Sequence, residues 1–410
     1  MLFANSLAAK NIFAHVDCDC FFVSVERLSQ PALNNVPVCV CGPTGNSGVV
    51  TCASYEARPF GIRAGTPVFK AKKMCPQAKF ISGSFQKYID ISYQLFKILE
   101  KFSPEIEHKS IDEGYLNINN IAEIHGLGEL ELANKIQETI KSELNLPISI
   151  GIGPTKTLAK IGSKLNKPAG IKVFTSEKLL TDINNLPINI VCGFGRKLEK
   201  RLLVKYRITN IGQFLKLNGS LVNQALGLPG LIIWHELQGT PLLKINCNET
   251  APKSILRSSM FPNKTTSYET IENWLHARLE EACRKLDRYN LTCQGLGIFL
   301  RQNYPLKVGD YQQLATPTNS YQKLSKEIHS QLKKIYRPDT LYRAAGVWLD
   351  NLKPQNTQQT LPLYEEDQTK EFVKALTSCD QKIGKTSLMT ASRFFGHQKP
   401  STSAPLAFLI

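Results

Sequence analysis

Hydrophobic and polar positions alternate in two rhythms along the chain. Ile12-Phe13-Ala14-His15-Val16 is an apolar run that reads as a buried strand, and it closes on Asp17-Cys18-Asp19-Cys20-Phe21-Phe22. Ile106-Glu107-His108-Lys109-Ser110-Ile111 reads as a second strand, closing on Asp112-Glu113-Gly114-Tyr115. Between them, Val36 to Gly42 is a short strand and Gly48 to Arg58 follows, so residues 28 to 84 form a small insertion. Ser84 is placed to cap a helix whose apolar face is Tyr88, Ile91, Leu95, Ile98, Leu99 and Phe102, with Pro104 just past its end. A later helix carries Leu132, Ile136, Ile140 and Leu144, and Ile148 to Gly153 returns to a strand. Strands alternating with helices around an insertion describe an α+β unit whose sheet bears the acids.

Residues 175 to 242 read as helical with short loops, and a compositional break follows around Asn246 to Lys253. Beyond it, a helix with Ile271, Leu275, Leu279, Ala282 and Leu286 on one face precedes Leu296 to Arg301 and, later, Tyr342 to Leu349. This is a second, smaller α+β unit, so the fold class is α+β and multidomain.

Buried strands rarely end in unpaired acids without a reason. If the two acid-bearing strands lie side by side, Asp17, Asp112 and Glu113 meet at one edge as an oxygen-rich, anionic site. Such a site suits Mg2+, which prefers a few carboxylates, waters and substrate phosphates. Two such ions serve phosphoryl transfer by activating an attacking oxygen and stabilising a leaving one.

Charge narrows the partner. The chain has 410 residues, with 50 Lys and Arg against 34 Asp and Glu, a net charge of +16, which points to an anionic partner. Nucleic acid is favoured over membrane, since no apolar stretch approaches the roughly 20 residues of a spanning helix. The first ten residues lack the basic start and long apolar core of a secretory signal, so a cytoplasmic protein is expected. Eleven cysteines, an odd number without paired Cys-x-x-Cys spacings, argue against a metal ribbon. Cys18, Cys20, Cys39 and Cys41 read instead as small reduced core residues.

Backbone contacts to phosphate have candidates in both halves. Gly193-Phe194-Gly195 precedes a helical run and, with Ile208 to Phe214, is similar to a helix-hairpin-helix, whose free amides at a helix start hold a phosphate without reading its base. Taken alone, Gly-x-Gly is equally an ordinary helix connection. In the second unit Lys253, Arg257, Lys264, Arg301, Lys307 and Arg343 supply a basic side; singly they read as solvated cations, and as a set they favour phosphate contacts.

Six segments in collinear order together resemble the Y-family DNA polymerases. They are Asp17 to Phe22, Tyr55-Glu56-Ala57-Arg58, Gly61 to Pro67, Ser110 to Glu113, Gly151 to Lys160 and Asn166 to Gly170. The likeness spans residues 11 to about 350 and is to the bacterial polymerase IV and polymerase V catalytic-subunit branches. It implies a right hand: a palm at 11–27 and 85–174, fingers at 28–84, a helical thumb with the helix-hairpin-helix at 175–242, and an α+β little finger at 251–352. It implies template-directed, error-prone translesion synthesis in DNA damage tolerance and the SOS response, with two Mg2+ ions per active site. Its partners would be primer-template DNA, a dNTP and accessory subunits.

Site residues carry over one by one as implications of the likeness. Asp17, Asp112 and Glu113 would be the metal-binding, catalytic acids, and the carbonyl of Cys18 would complete one ion's shell. Tyr55, Arg58 and Lys167 would grip the triphosphate, and Phe21 and Phe22 would lie on the nucleotide side, with Phe22 as the steric gate under the sugar. Asp19 is left outside the metal shell. Gly193, Gly195, Lys253, Arg257, Arg301 and Arg343 are the DNA-side candidates. Gly114 stands where alanine is usual, a change expected to loosen the strand, and Asn166 stands where alanine is common.

The tail, 353–410, is less characteristic. Gln358-Gln359-Thr360-Leu361-Pro362-Leu363-Tyr364 resembles the peptide by which bacterial polymerases bind the sliding clamp, with Gln359, Leu361, Leu363 and Tyr364 as its contacts. Two rival readings stay open here. A catalytically inactive DNA-binding scaffold of the same fold would not need the acids, and a palm-type nucleotide cyclase would need neither the hairpin nor a separate basic unit.

Overall fold

The structure is a computed structural model that describes residues 11–42, 48–124, 126–248, 250–302 and 306–355. The chain divides into two compact units, one up to Glu249 and one from Thr250 onward.

In the first unit the elements run β1 (Phe13–Cys18), α1 (Phe21–Ser29), β2 (Val38–Cys41), β3 (Val50–Ala53), α2 (Val68–Met74), β4 (Lys79–Ser82), α3 (Phe85–Leu99), β5 (Ile106–His108), β6 (Glu113–Asn117), α4 (Ile121–Ile124), α5 (Glu129–Leu144), β7 (Ile148–Gly153), α6 (Lys156–Leu165) and β8 (Ile171–Val173). Four further helices follow: α7 (Leu179–Ile183), α8 (Arg196–Tyr206), α9 (Ile211–Leu215) and α10 (Gly219–Leu237). The main sheet has the order β5-β6-β1-β7-β8, with β1 antiparallel to both neighbours. Central placement explains the unbroken apolar run of β1: Phe13, Ala14, His15 and Val16 are all buried, since both faces of the strand are covered.

The helices α3 and α5 pack by the faces their spacing predicts, burying Tyr88, Leu95, Ile98 and Leu99 and, on α5, Leu132, Ile136 and Ile140. Ser84 occupies the N-cap position of α3 but its side chain makes no capping bond. The insertion folds as its own three-stranded sheet, β3-β2-β4, over a separate small core that includes Cys39, Val50, Ile62, Val68 and Cys75. Of the cysteines in the described residues all are free, and Cys18, Cys20, Cys39 and Cys41 are buried, as expected of core thiols.

Two close approaches tighten the main sheet. A Cβ on Gly151 would lie 2.0 Å from the Ala159 carbonyl oxygen and 2.2 Å from the Ser163 amide nitrogen, so only glycine lets α6 lie directly on β7. Gly114 does not loosen its strand, contrary to expectation. A Cβ there would come within 2.7 Å of the Phe96 ring, which is stacked on His108 at 3.8 Å and presses on the strand.

The second unit contains β9 (Ile255–Thr265), α11 (Tyr268–Arg288), β10 (Leu291–Arg301), β11 (Lys307–Thr318), α12 (Tyr321–Ile335), β12 (Tyr342–Asp350) and the short β13 (Lys353–Pro354). Its sheet runs β11-β10-β12-β9, entirely antiparallel, and α11 and α12 cover one face. The strands β9 and β11 and the helix α12 go beyond the sequence reading. Among the described residues no helix is long and apolar enough to cross a membrane.

Candidate active site

The two acid segments meet, by a route slightly different from the one expected. The second pair does not close the strand that starts at Ile106: β5 ends at His108, residues 109–112 turn, and Glu113 opens β6. It is therefore β6 that lies beside β1, with Asp17 opposite Glu113 in the register. The Cys18 amide donates to the Asp112 carbonyl at 2.9 Å, and the amides of Lys109 and Ser110 donate to the Glu113 carbonyl at 3.1 Å, fixing the turn. Ser110 Oγ bonds Asp112 Oδ1. Three carboxylates thus arise from adjacent positions at one end of the central strand pair.

Lysines on α6 and just after it face these acids. Lys160 Nζ donates to both carboxylate oxygens of Glu113 at 2.7 Å. Lys167 pairs with Asp17 and stands 3.4 Å from Asp19. Lys156 pairs with Glu107, and Lys164 donates to the Ile190 carbonyl at 3.1 Å. The imidazole of His15 is wholly buried, with Nδ1 2.8 Å from Ser163 Oγ and Nε2 3.4 Å from Glu113 Oε2, a distance too long for a firm bond. Burial drives the His15 pKa down to about 4, so the ring is neutral near pH 7. The long contact from His15 and the Lys160 ammonium hold the Glu113 carboxyl low against the cost of burial, and of the two the 2.7 Å bonds from Lys160 are the firm ones.

Asp17 behaves oppositely. Burial raises its pKa, and the charges of Asp112 and Glu113 add to that rise even with Lys167 alongside. Lys167 itself is pulled down by burial yet ends raised, because Asp17 and Asp19 outweigh it. The site therefore holds more negative charge than its nearest ammonium neutralises.

Tyr55 and Arg58 come from the insertion and face the same end of β1. Arg58 lies over the Tyr55 ring at 4.2 Å and its Nη2 is 3.1 Å from Cys20 Sγ. The Tyr55 hydroxyl donates to Asp19 Oδ1 at 2.8 Å. Phe22 is half-buried and stacked on Tyr88, ring centres 4.3 Å apart and 17° between planes, which presents one flat face. Phe21 is only 2 % exposed and packs in the core, so its backbone alone can face a nucleotide.

The remaining candidates are placed as follows. Gly193 has φ +91, a left-handed conformation that favours glycine, while Gly195 is the N-cap of α8 with open space where a Cβ would sit. Both are exposed, in the first unit. In the second unit Lys253, Arg301 and Arg343 are exposed and Arg257 is half-buried. Gln359, Leu361, Leu363 and Tyr364 lie outside the described residues.

Sequence reasoning passed over Lys156 and Lys160 as site residues, and it weighed Asp19 only to leave it outside the metal shell. A signal for the lysines existed: Lys156, Lys160 and Lys164 recur every four residues and so share one helix face. His15 read simply as part of a strand.

Whether these residues fit a divalent cation is decided by donor chemistry and charge. Among the described residues no three His, Cys, Asp or Glu side chains stand close enough to hold a cation as they are, and Lys160 and Lys167 engage two of the acids. The donors are nonetheless hard oxygens; burial, and after it the charges of Asp112 and Glu113, make the ionised Asp17 costly, and a divalent cation would relieve that cost.

Comparison with known proteins agrees with this geometry. A model described as the impB/mucB/samB family matches residues 16–164, and the model of that family's C-terminal domain matches residues 252–361. DNA polymerase IV of an Enterobacter species is 32% identical over 352 residues, covering 84% of this chain and 97% of that protein. DNA polymerase IV of Ureaplasma parvum is 29% identical over 359 residues, covering 87% and 99%. Among solved structures, a Y-family DNA polymerase chimera of Dbh and Dpo4 superposes with a TM-score of 0.71 at 26% identity, covering 84% of this chain and 99% of that one. An insertion ternary complex of Dbh DNA polymerase gives 0.55 at the same identity and coverage. Membership brings divalent-metal dependence in general and the α+β multidomain polymerase architecture. A sheet that lines up Asp17 with Glu113, in a chain matched along most of its length by such relatives, belongs to a DNA-directed DNA polymerase of the Y-family, polymerase IV type.

Proposed function

We propose that the chain extends a primer 3′ end on a template by two-metal-ion nucleotidyl transfer, and that it does so across damaged templates. The observation that carries the reading is the Asp17 to Glu113 register with Asp112 one residue away, which supports three carboxylates serving one reaction centre. Asp17, Asp112 and Glu113, with the carbonyl of Cys18, would hold two Mg2+ ions, which when bound supply charge stabilisation for the attacking, bridging and leaving oxygens.

The chain's own groups do the rest. Tyr55, Arg58 and Lys167 bind and orient the triphosphate, a phenol, a planar fork and an ammonium matched to its charge. Phe22, seated on Tyr88, closes off the space a 2′-hydroxyl would need. Catalysis rests on positioning and electrostatics, without a covalent enzyme intermediate. In this reading 11–27 with 85–174 is the palm, 28–84 the fingers, 175–242 the thumb, and 251–352 the little finger. DNA is held at the Gly193 and Gly195 turn and by Lys253, Arg257, Arg301 and Arg343. A relative, Dbh DNA polymerase, has been captured as an insertion ternary complex, in keeping with a DNA and dNTP ligand pair here. The 353–410 tail would carry the clamp-binding peptide.

The test is primer extension on undamaged and lesion-bearing templates with and without Mg2+. Asp17→Ala, Asp112→Ala and Glu113→Ala should each abolish incorporation while DNA binding survives. Near-normal extension by Asp112→Ala refutes the assignment, and it also separates an enzyme from a DNA-binding scaffold.

A further inference from the structure

Asp19 is the most heavily engaged buried charge of the first unit. It is 1 % exposed, and each oxygen is occupied. Oδ1 accepts the Tyr55 hydroxyl at 2.8 Å with Lys167 Nζ 3.4 Å away. Oδ2 accepts the Ser149 hydroxyl at 2.8 Å and the Ala169 amide at 2.7 Å. A carboxylate offers about four lone-pair sites, and four donors surround this one. Three of these are hydrogen bonds and the fourth, from Lys167, is an ion-pair contact.

The four donors come from three separate places. Tyr55 belongs to the insertion, Ser149 to β7, and Ala169 and Lys167 to the loop between α6 and β8. Asp19 follows directly on the end of β1, where its own amide donates to the Pro147 carbonyl at 2.9 Å and its carbonyl accepts the Ser24 hydroxyl at 2.6 Å. Its backbone is thus fixed on both sides. A fully hydrogen-bonded charge is tolerable in such surroundings, and removing the acceptor would leave several donors unpaired at once.

We propose that Asp19 is a positioning residue that fixes Tyr55 and Lys167 relative to the acids at the end of β1, and thereby sets the affinity for the incoming triphosphate. It touches neither the reacting atoms nor the ions; it acts through the two groups it holds. The proposal rests on the reading of Tyr55, Arg58 and Lys167 as the triphosphate grip; the one proton of the Tyr55 phenol is given to Asp19, so Tyr55 serves that grip by seating Arg58, whose guanidinium lies over its ring at 4.2 Å. The proposal adds that these groups, two from the insertion and one from the loop, form a single unit joined through one carboxylate. Lys167 is shared between Asp17 and Asp19, so if the acids took a cation and Asp17 let go of it, Asp19 would keep the ammonium beside the site to meet the phosphates.

The experiment is steady-state primer extension by the full chain with Mg2+, corrected for active fraction by burst amplitude. The variants are Asp19→Asn, Tyr55→Phe, Lys167→Ala and the Asp19→Asn/Tyr55→Phe double. Asp19→Asn keeps the shape and should raise KM for dNTP roughly tenfold, the scale of one lost charge-assisted hydrogen bond, with kcat changed far less and DNA affinity unchanged. The KM effect of Tyr55→Phe should largely vanish when Asp19 is already Asn, since linked residues are not additive. A purely structural role would lower the active fraction and melting temperature while leaving KM per active site alone, and that outcome overturns the proposal. So do Asp19→Asn and Tyr55→Phe effects that simply multiply. If Tyr55→Phe and Lys167→Ala themselves leave KM unchanged, the triphosphate reading fails, and this proposal with it. A KM sensitive to those two but not to Asp19 sinks the proposal alone. Should Asp19→Asn fail to fold, Ser149→Ala keeps the charge and removes one donor; it should raise KM about twofold to threefold, and an unchanged KM counts against the proposal.

Discussion

Gly151→Ala tests how the site is built, because it changes one hydrogen into a methyl on a strand, β7, that carries none of the three acids. The added Cβ would sit 2.0 Å from the Ala159 carbonyl oxygen and 2.2 Å from the Ser163 amide nitrogen, where ordinary contact begins at 3.4 Å. Both obstacles are backbone of α6, so neither can rotate away. The helix must retreat by roughly 1.4 Å, the difference between those distances, or the strand must bend. Lys160 rides on α6, and its 2.7 Å bonds to Glu113 would lengthen out of range. Overpacking costs about 1–3 kcal/mol and more where nothing can yield, and loss of a charged hydrogen bond adds about 1.5–3 kcal/mol. Together they give roughly 3–5 kcal/mol, which at about 2–4 °C per kcal/mol for a unit of this size lowers the melting temperature by about 6–20 °C. The assay is calorimetry of the full chain, following the transition of the first unit, with Gly42→Ala as control. A Cβ on Gly42 meets nothing within 4 Å, so that variant should stay within about 0.5 kcal/mol of the parent. Gly151→Ala melting within a degree of the parent would refute the argument that glycine is what allows α6 its place.

Three further expectations follow from the site. Phe22→Ala should raise rNTP incorporation relative to dNTP, because the flat face seated on Tyr88 is gone; unchanged discrimination in a folded variant returns Phe22 to the core. DNA binding should weaken steeply with salt, at a slope of about −0.9 per duplex phosphate neutralised, and show little sequence preference, whereas a flat salt response measured by anisotropy would contradict phosphate contacts. Leu361→Ala with Leu363→Ala should leave synthesis on short primers intact and abolish stimulation by the host's clamp; equal stimulation of the double variant removes the tail from the account.

Much of the main sheet was legible because its chemistry is local. The apolar run of β1 and the four-residue spacing on α3 and α5 each report burial directly, and the acids stand out against that background. What escaped was set by partners distant in sequence. β9 has Leu256, Met260 and several polar residues turned outward and includes Pro262, while β11 is a polar edge strand, so neither carries the apolar signature of a core strand. Where β6 begins depended on the turn at 109–112, which Ile111 disguised as more strand. Lys160 was given no role because its partner, Glu113, lies 47 residues away in sequence. Gly114 looked permissive because Phe96, its true constraint, belongs to another element.

The central position of β1 has a consequence for hydrogen exchange. Opening that strand at His15 and Val16 means breaking ladders to β6 and β7 together, so these amides should exchange only through unfolding of the main sheet as a whole. Tyr55, although it comes from the insertion, rests on that same main core and is bonded to Asp19, whereas Ile62, Val68 and Cys75 farther along the insertion form a small core of their own, which can open at lower free energy. The acids and the phenol beside them are thus anchored in the slowest-exchanging part of the unit, and faster adjustment falls to the part of the insertion beyond them, on its own small core.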